Sequence, residues 1–137
     1  MFKGNNMNEE IILKSEDGVG IITLNRPERL NALTYNIVQK MNDFLDKCES
    51  DDDIKCVIIE GAGEKAFCAG GDVVSLRKQV LDEGGPPTEL SEKFFYDEYL
   101  LNYKINNFTK PYIALIDGVT MGGGVGVSMH GLSLIHI

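Results

Sequence analysis

Hydrophobic residues along the chain switch between strand-like and helix-like spacing. Near the start, IILKS and VGIITLN flank EDG, and two β-rich runs around a turn glycine predict a β-hairpin that ends at Pro27. From Thr34 the hydrophobic positions recur every three or four residues, which predicts a helix with Thr34 as its N-cap. The buried stripe of this helix is expected to hold Ile37, Val38, Met41, Phe44, Leu45 and Cys48.

Two short hydrophobic runs later in the chain predict parallel strands. CVIIE at residues 56–60 and KPYIALIDG at residues 110–118 are typical of strands buried on both faces. A helix is expected to begin near Asp72, DEGGPPTELS predicts a surface loop, and Ser91 is expected to open a further helix. The buried stripe expected for that helix is Phe94, Phe95, Leu101 and Ile105. Strands that alternate with helices predict an α/β fold with parallel crossovers.

Composition narrows the function classes. The 137 residues correspond to one domain, and 43% hydrophobic with 25% charged residues is typical of a globular protein. No run reaches the roughly 18 apolar residues of a membrane span, and the net charge of −8 argues against a nucleic-acid partner. The first ten residues show neither the apolar core of a signal peptide nor the arginines of a transit peptide.

The cysteines and histidines do not form a recognisable metal or nucleophile motif. Cys48, Cys56 and Cys68 are an odd number without a CxxC pair, and we expect reduced thiols. For Cys68, a small buried residue is favoured over a nucleophile. His130 and His136 have no evident partner ligands in the sequence.

Each of the two buried-strand runs is followed by a glycine-rich loop and a predicted helix. These loops are GAGEKAFCAGGD and GVTMGGGVGVSMHG. Glycine lets a backbone approach a ligand closely, and two backbone amides aimed at one carbonyl oxygen would form an oxyanion hole. A phosphate cradle is disfavoured because no Gly-Lys-Ser/Thr follows, and the GxGxxG pattern fails at Val127 or Met129. Close packing of helix on strand remains the alternative explanation for the glycines.

Three segments carry a family resemblance. ITLNRPERLNAL, KAFCAGGD and KPYIALIDGVTMGGGVGVSMHG resemble, in order and spacing, the N-terminal signatures of the crotonase or enoyl-CoA hydratase/isomerase superfamily. The resemblance implies a crotonase-like ββα-repeat (ClpP/crotonase) fold and acyl-CoA thioester substrates, with no cofactor because CoA is part of the substrate. It implies that the amides of Gly71 and Gly123 are the catalytic oxyanion donors, with Gly122 and Gly124 allowing close approach.

Within the family, AFCAGGDV, FFYDEYLLNY and TMGGGVGVSMHG resemble the branch whose members hydrolyse 3-hydroxyisobutyryl-CoA in valine breakdown. This resemblance implies that Glu98, in register with Phe94, reaches the substrate. The alternative is a surface carboxylate paired with a lysine such as Lys93. Further substrate-binding residues implied by the resemblance are Arg29, Leu30, Asn31, Cys68, Ala69 and Gly70. Arg29 is expected near the CoA phosphates, with an ordinary surface arginine as its alternative.

The resemblance also implies a setting for the protein. Members of the branch are mitochondrial, but no transit peptide is visible, so cytoplasm and peroxisome stay open. Apart from the acyl-CoA substrate, neither nucleic acid nor membrane is expected as a partner. A homo-oligomer of the full-length protein stays open.

The resemblance stops at Gly131. Residues 1–10 are expected to be a flexible N-terminus, residues 11–131 the N-terminal part of the family's domain, and LSLIHI at residues 132–137 an unrelated tail, with a short terminal strand as the alternative. The family continues with a Glu and an Asp that act as acid and base. We therefore expect an incomplete fold that is inactive alone. A hydratase or isomerase and a non-catalytic acyl-CoA-binding fragment are the rival functions.

Overall fold

A computed structural model describes residues 9–85 and 88–136. The strands are β1 (Ile11–Glu16), β2 (Val19–Leu24), β3 (Cys56–Gly61), β4 (Ala66–Cys68), β5 (Tyr112–Ile116), β6 (Val119–Thr120) and β7 (Ser133–His136). The helices are α1 (Tyr35–Ser50), α2 (Val73–Asp82), α3 (Glu89–Asn106) and α4 (Gly123–Met129), with a 3₁₀ turn at Pro27–Arg29.

The main sheet has five strands in the order β1-β2-β3-β5-β7. The pair β1 and β2 is antiparallel, whereas β2, β3, β5 and β7 run parallel to one another. Strands β4 and β6 form a second, two-stranded parallel sheet. The predicted α/β fold with parallel crossovers is confirmed.

The predicted hairpin is confirmed, and its turn explains the EDG segment. Asp17 and Gly18 both have positive φ, 49° and 81°. A two-residue hairpin loop with positive φ at both positions suits the right-handed twist of the strands, and Asp-Gly is a preferred pair there.

Helix α1 is also as predicted. The Thr34 hydroxyl accepts a hydrogen bond from the Ile37 amide at 3.2 Å and caps the helix. All six residues of the predicted stripe are buried in the hydrophobic core, and α1 packs against α3 and β1.

Helix α3 corrects two predictions. It begins at Glu89, not at Ser91, because Thr88 is the N-cap and Ser91 closes a capping box with it. Phe94, Leu101 and Ile105 are buried as expected, but Phe95 is 44% exposed. A step of one residue turns a side chain about 100° around a helix, and this carries Phe95 out of the stripe.

The strands predicted to be buried on both faces are buried on one. Val57 and Ile59 in β3, and Tyr112 and Ala114 in β5, are buried, whereas the residues between them are half-buried. Successive side chains of a strand point to opposite faces, so this alternating burial means that one face of the sheet is covered more completely than the other.

The structure describes the end of the chain almost completely but only the last part of the predicted flexible N-terminus. Most of the expected flexible N-terminus, and the two prolines of the predicted surface loop, lie outside the described residues. Residues 133–136 form β7, in which Leu134 pairs with Ala114 of β5. The assignment of residues 132–137 to an unrelated tail stays a prediction.

Candidate active site

The loop after β4 presents one backbone amide. Leu33 donates to the Gly70 carbonyl at 2.7 Å, and Asp72 donates to the Leu33 carbonyl at 2.8 Å, which makes a parallel bridge between Leu33 and Gly71. A trans peptide directs its C=O and N–H in opposite directions, so the Gly71 N–H points away from the Leu33 backbone. It donates no hydrogen bond to any acceptor in the described part of the chain.

The loop after β6 presents a second amide. Gly122, with φ +51°, is the N-cap of α4, and Gly123 is the first residue of that helix. The amides of Gly124 and Val125 bond back to Met121 and Gly122. The Gly123 amide is one of the first-turn donors that a helix leaves unpaired, and it has no acceptor within residues 9–85 and 88–136.

These two loops are in backbone contact. A Cβ placed on Gly70 would lie 3.2 Å from the Gly123 nitrogen, and one on Gly123 would lie 3.4 Å from the Gly71 nitrogen. With standard bond lengths, the two amide nitrogens are then within roughly 6 Å of each other. One oxygen atom about 3 Å from each nitrogen fits this separation.

The alternative explanation for the glycines, close packing, applies to others in the same loop. A Cβ on Gly124 would overlap the Cys68 carbonyl, and one on Gly126 would lie 2.7 Å from the Asn102 amide nitrogen. Thus α4 packs tightly on β4 and α3. Close packing therefore explains Gly124 and Gly126, whereas Gly71 and Gly123 lie where the two amides approach each other.

Glu98 lies beside the two amides. It is buried, and a Cβ on Gly123 would overlap its Oε1 atom. It makes no hydrogen bond or ion pair with the described residues, and burial raises the pKa of its carboxyl group. The alternative pairing is wrong, because the Lys93 ammonium lies over the Tyr35 ring, 5.8 Å from its centroid.

Cys68 is a buried thiol, as expected. Its side chain is fully buried, and burial raises its pKa to about 11. A thiol with that pKa stays protonated near neutral pH, and only the thiolate is a good nucleophile. This environment does not activate Cys68 for nucleophilic chemistry.

Residues 29–31 differ in their surroundings. Asn31 is buried at φ +54°, and its amide group donates to the carbonyls of Ala62 and Ala66 at 2.9 and 2.8 Å. Its Oδ1 accepts from the Arg26 amide, so this side chain fastens two loops together. Leu30 is 38% exposed and accepts from the Ala69 amide, while Arg29 is exposed. Substrate binding by these residues stays a prediction.

Sequence reasoning missed Arg26, which connects the segment before α1 to Asp72, the residue that follows Gly71. Its guanidinium donates to the Ala32 carbonyl at 2.8 Å and to Asp72 Oδ2 at 2.9 Å, and Glu10 lies 3.4 Å from Nε. Asp72 also caps α2 by accepting from the Ser75 amide. Burial alone would raise the pKa of Asp72, but its bonds with Ser75 and Arg26 outweigh burial and lower it.

A cavity of about 410 Å³ is lined in part by Arg26, Asp72 and two hydrophobic residues that lie near the amides. Leu33 and Phe94 form part of its wall, and each also contacts one of the two glycines: Leu33 lies against Gly123, and Phe94 against Gly71. The cavity and the two amides thus share Leu33 and Phe94 as neighbours, and neither glycine lines the cavity.

A family model described as enoyl-CoA hydratase/isomerase matches residues 19–136. The chain belongs to this family. Two curated relatives are named 3-hydroxyisobutyryl-CoA hydrolase, mitochondrial. The Danio rerio protein is 48% identical over 122 residues, 89% of this chain and 31% of the relative, and the Homo sapiens protein is 46% identical over 132 residues, 96% and 33%. The chain therefore spans about a third of the length of these relatives.

Solved structures of the family share the fold. A carnitinyl-CoA dehydratase from Mycobacterium thermoresistibile superposes with a TM-score of 0.87 at 42% identity, and the match covers 94% of this chain and 37% of that structure's chain. The resemblance of the fold to crotonase is thereby confirmed, over part of the fold's length. Among the described residues, no helix is long and apolar enough to cross a bilayer, and no cluster of three or more potential metal ligands occurs.

Proposed function

We propose that the protein is an acyl-CoA thioester hydrolase that cleaves 3-hydroxyisobutyryl-CoA into 3-hydroxyisobutyrate and CoA. The observation that carries the proposal is the approach of two unpaired amides, Gly71 and Gly123, beside the buried carboxyl group of Glu98. The names of the curated relatives support the choice of reaction within the family.

In the proposed reaction, the thioester oxygen lies between the amides of Gly71 and Gly123. Water attacks the carbonyl carbon and gives up one proton to a base, the carbonyl oxygen becomes negative, and both N–H groups stabilise that charge. The C–S bond then breaks, and the departing sulfur takes up a proton to give the CoA thiol. Removal of one such donor typically costs about 10²–10³ in rate.

Glu98 is proposed to hold the hydroxyl group of the substrate. A buried carboxyl group without a protein partner is costly, and a hydroxyl bound beside it would satisfy it. The Glu and Asp implied by the resemblance to follow residue 131 are proposed to transfer protons in the full reaction. We accordingly propose that the 137 residues alone bind the thioester without turning it over.

The proposal extends to the residues that contact the CoA moiety and to the cellular compartment. Arg29, Leu30 and the Cys68–Gly70 backbone are proposed to contact the CoA moiety. The two curated relatives carry mitochondrial names, and we propose the same compartment and a role in valine breakdown.

A hydratase or dehydratase is the second candidate, favoured by the 42% identity to a carnitinyl-CoA dehydratase. The same two amides would stabilise an enolate oxygen in that reaction. Hydrolysis releases a free thiol, whereas hydration removes a conjugated double bond, so a thiol reagent and ultraviolet absorbance distinguish the two.

The test uses a full-length protein, as long as the curated relatives, that includes the residues of this chain. We expect it to release CoA thiol from 3-hydroxyisobutyryl-CoA. We expect Gly123→Ala to lower turnover, because the new Cβ overlaps Glu98 Oε1 and crowds the Gly71 nitrogen. The loss should stay below the roughly 10²–10³ that removal of a donor costs, since alanine keeps the N–H group. Gly126→Ala is the matched control, since it lies in the same helix and its Cβ would meet the end of the Asn102 side chain, which can rotate away. Absence of thiol release, with hydration of an enoyl-CoA instead, would favour the second candidate.

A further inference from the structure

Two peptide units connect Arg26 to the Gly71 amide. The Arg26 Nη1 atom donates to the Ala32 carbonyl at 2.8 Å. The same peptide unit carries the Leu33 N–H, which donates to the Gly70 carbonyl at 2.7 Å. The next unit carries the Gly71 N–H, which points toward the site.

All the groups in this series point the same way. In each trans peptide the N–H is directed opposite to the C=O, so the dipoles of the two units add along the chain of bonds. A cation that donates to the first carbonyl withdraws electron density along the series. The last N–H, on Gly71, becomes a better donor as a result.

The guanidinium is held in place for this contact. The side chains of Arg26 and Asp72 are 12% and 10% exposed. The 2.9 Å contact between Arg26 Nη2 and Asp72 Oδ2 holds the second terminal nitrogen of the guanidinium. Asp72 is itself fixed through its amide to Leu33 and its carboxylate to Ser75. Arg26 thus bonds on one side to the peptide series and on the other to the residue that follows Gly71.

We propose that Arg26 is a positioning residue that orients and polarises the Gly71 amide through the Ala32–Leu33 and Gly70–Gly71 peptide units. The inference rests on the proposed oxyanion role of Gly71. In the free protein, the chemical shifts of the Leu33 and Gly71 amide protons should then depend on the charge of residue 26.

The first arm of the test needs no ligand. In ¹H–¹⁵N spectra of the 137-residue chain, Arg26→Gln should move the Leu33 and Gly71 amide protons upfield, since a neutral donor polarises the series less. Arg26→Lys, which keeps the charge but not the fork, should give a smaller shift. Lys104→Gln is the control, because it breaks the ion pair between Lys104 on α3 and Asp46 on α1, and it should leave the Leu33 and Gly71 signals in place.

The second arm uses isobutyryl-CoA labelled with ¹³C at its carbonyl. Binding should move the carbonyl signal downfield, and Arg26→Gln should reduce that shift by roughly a fifth to a half, with Kd changed less than about threefold. The carbonyl shift in Arg26→Lys should lie between those of wild type and Arg26→Gln. If Arg26→Gln does not fold, Arg26→Lys is the variant compared with wild type. Unchanged amide and carbonyl signals in the Arg26 variants would overturn the inference. If the amides respond but the wild-type carbonyl does not shift, the oxyanion role fails, and with it the catalytic part of the inference.

Discussion

Glu98 shows what burial does to a single group. Its folded-state pKa is raised by desolvation, so the folded chain binds its proton more tightly than the unfolded chain. The folded chain therefore favours the neutral carboxyl group, and ionisation of Glu98 destabilises the folded chain. The stability cost of Glu98 is absent below the unfolded pKa near 4.5 and grows as pH rises to the folded pKa.

Glu98→Gln should remove this pH-dependent cost. Glutamine has nearly the same shape but no charge, so the variant should be more stable than wild type at pH 7 and similar to it near pH 4. Each unit of raised pKa corresponds to about 1.4 kcal/mol at neutral pH. Urea unfolding at both pH values measures the difference. Equal stabilities at pH 7 would show that the Glu98 carboxylate is solvated. Glu92→Gln is the control for a general change of charge on α3, because this exposed carboxylate makes no hydrogen bond or ion pair with the described residues.

Residues with a local signature could be predicted, and those with a distant partner could not. Gly71 and Gly123 stand in glycine-rich loops after strands, and the helical register placed Glu98 on the buried stripe. Arg26 bonds to Asp72, 46 positions away, and no spacing in the sequence indicates that contact. Substrate binding by Asn31 stays a prediction, and its side-chain bonds to two loop carbonyls could not be predicted, because only the fold brings those carbonyls near.

At the level of elements, length decided what could be predicted. The hairpin, α1, β3 and β5 have enough residues to show a period or an apolar run. Strands β4 and β6 have only three and two residues and lie inside the glycine loops, so no pattern reveals them. The start of α3 was misplaced because Thr88 and Ser91 are both good N-caps, and the choice between them depends on tertiary packing.

The short helix α4 offers a paired prediction about packing. Ala favours a helix over Gly by about 1 kcal/mol, so both Gly124→Ala and Gly126→Ala gain in propensity. At Gly124 the new Cβ would overlap the Cys68 backbone carbonyl, which cannot move independently. At Gly126 it would meet the Asn102 side-chain amide, which can rotate away.

Gly124→Ala should therefore destabilise the chain by about 1–3 kcal/mol, the usual cost of overpacking, while Gly126→Ala should stay within about 1 kcal/mol of wild type. Thermal or urea unfolding of the two variants side by side measures this. Equal losses would mean that α4 shifts as a unit, and that Gly124 does not set its distance from β4.

Across the whole molecule, burial is uneven. Val57, Ile59, Tyr112 and Ala114 are buried on one face of the main sheet, whereas the residues between them, on the other face, are half-buried. Large hydrophobic residues are also exposed at one edge of the sheet, where Leu134 is 49% and Ile135 47% exposed. Strand β7 pairs with β5 on one side and with no other strand of the described residues on its other side. Sequence reasoning predicted two-sided burial because an apolar run does not indicate how much of its surroundings is present.

This edge leads to a prediction about association. An unpaired hydrophobic edge strand is a template for pairing with another chain, and a net charge of −8 opposes that approach by repulsion. Added salt screens the repulsion, so association of the 137-residue chain should increase with both protein concentration and ionic strength. Sedimentation velocity at two concentrations and two salt levels measures it.

Leu134→Lys should reduce the association, because a charged side chain on an edge strand discourages strand pairing. Leu81→Lys is the matched control: Leu81 is a similarly exposed leucine, 53% exposed at the end of α2, and it lies away from the sheet edge. If the Leu81 variant reduces association as much as the Leu134 variant, the added charge alone is responsible and β7 is not the contact. A chain that stays monomeric at high salt would show that the edge does not pair at all.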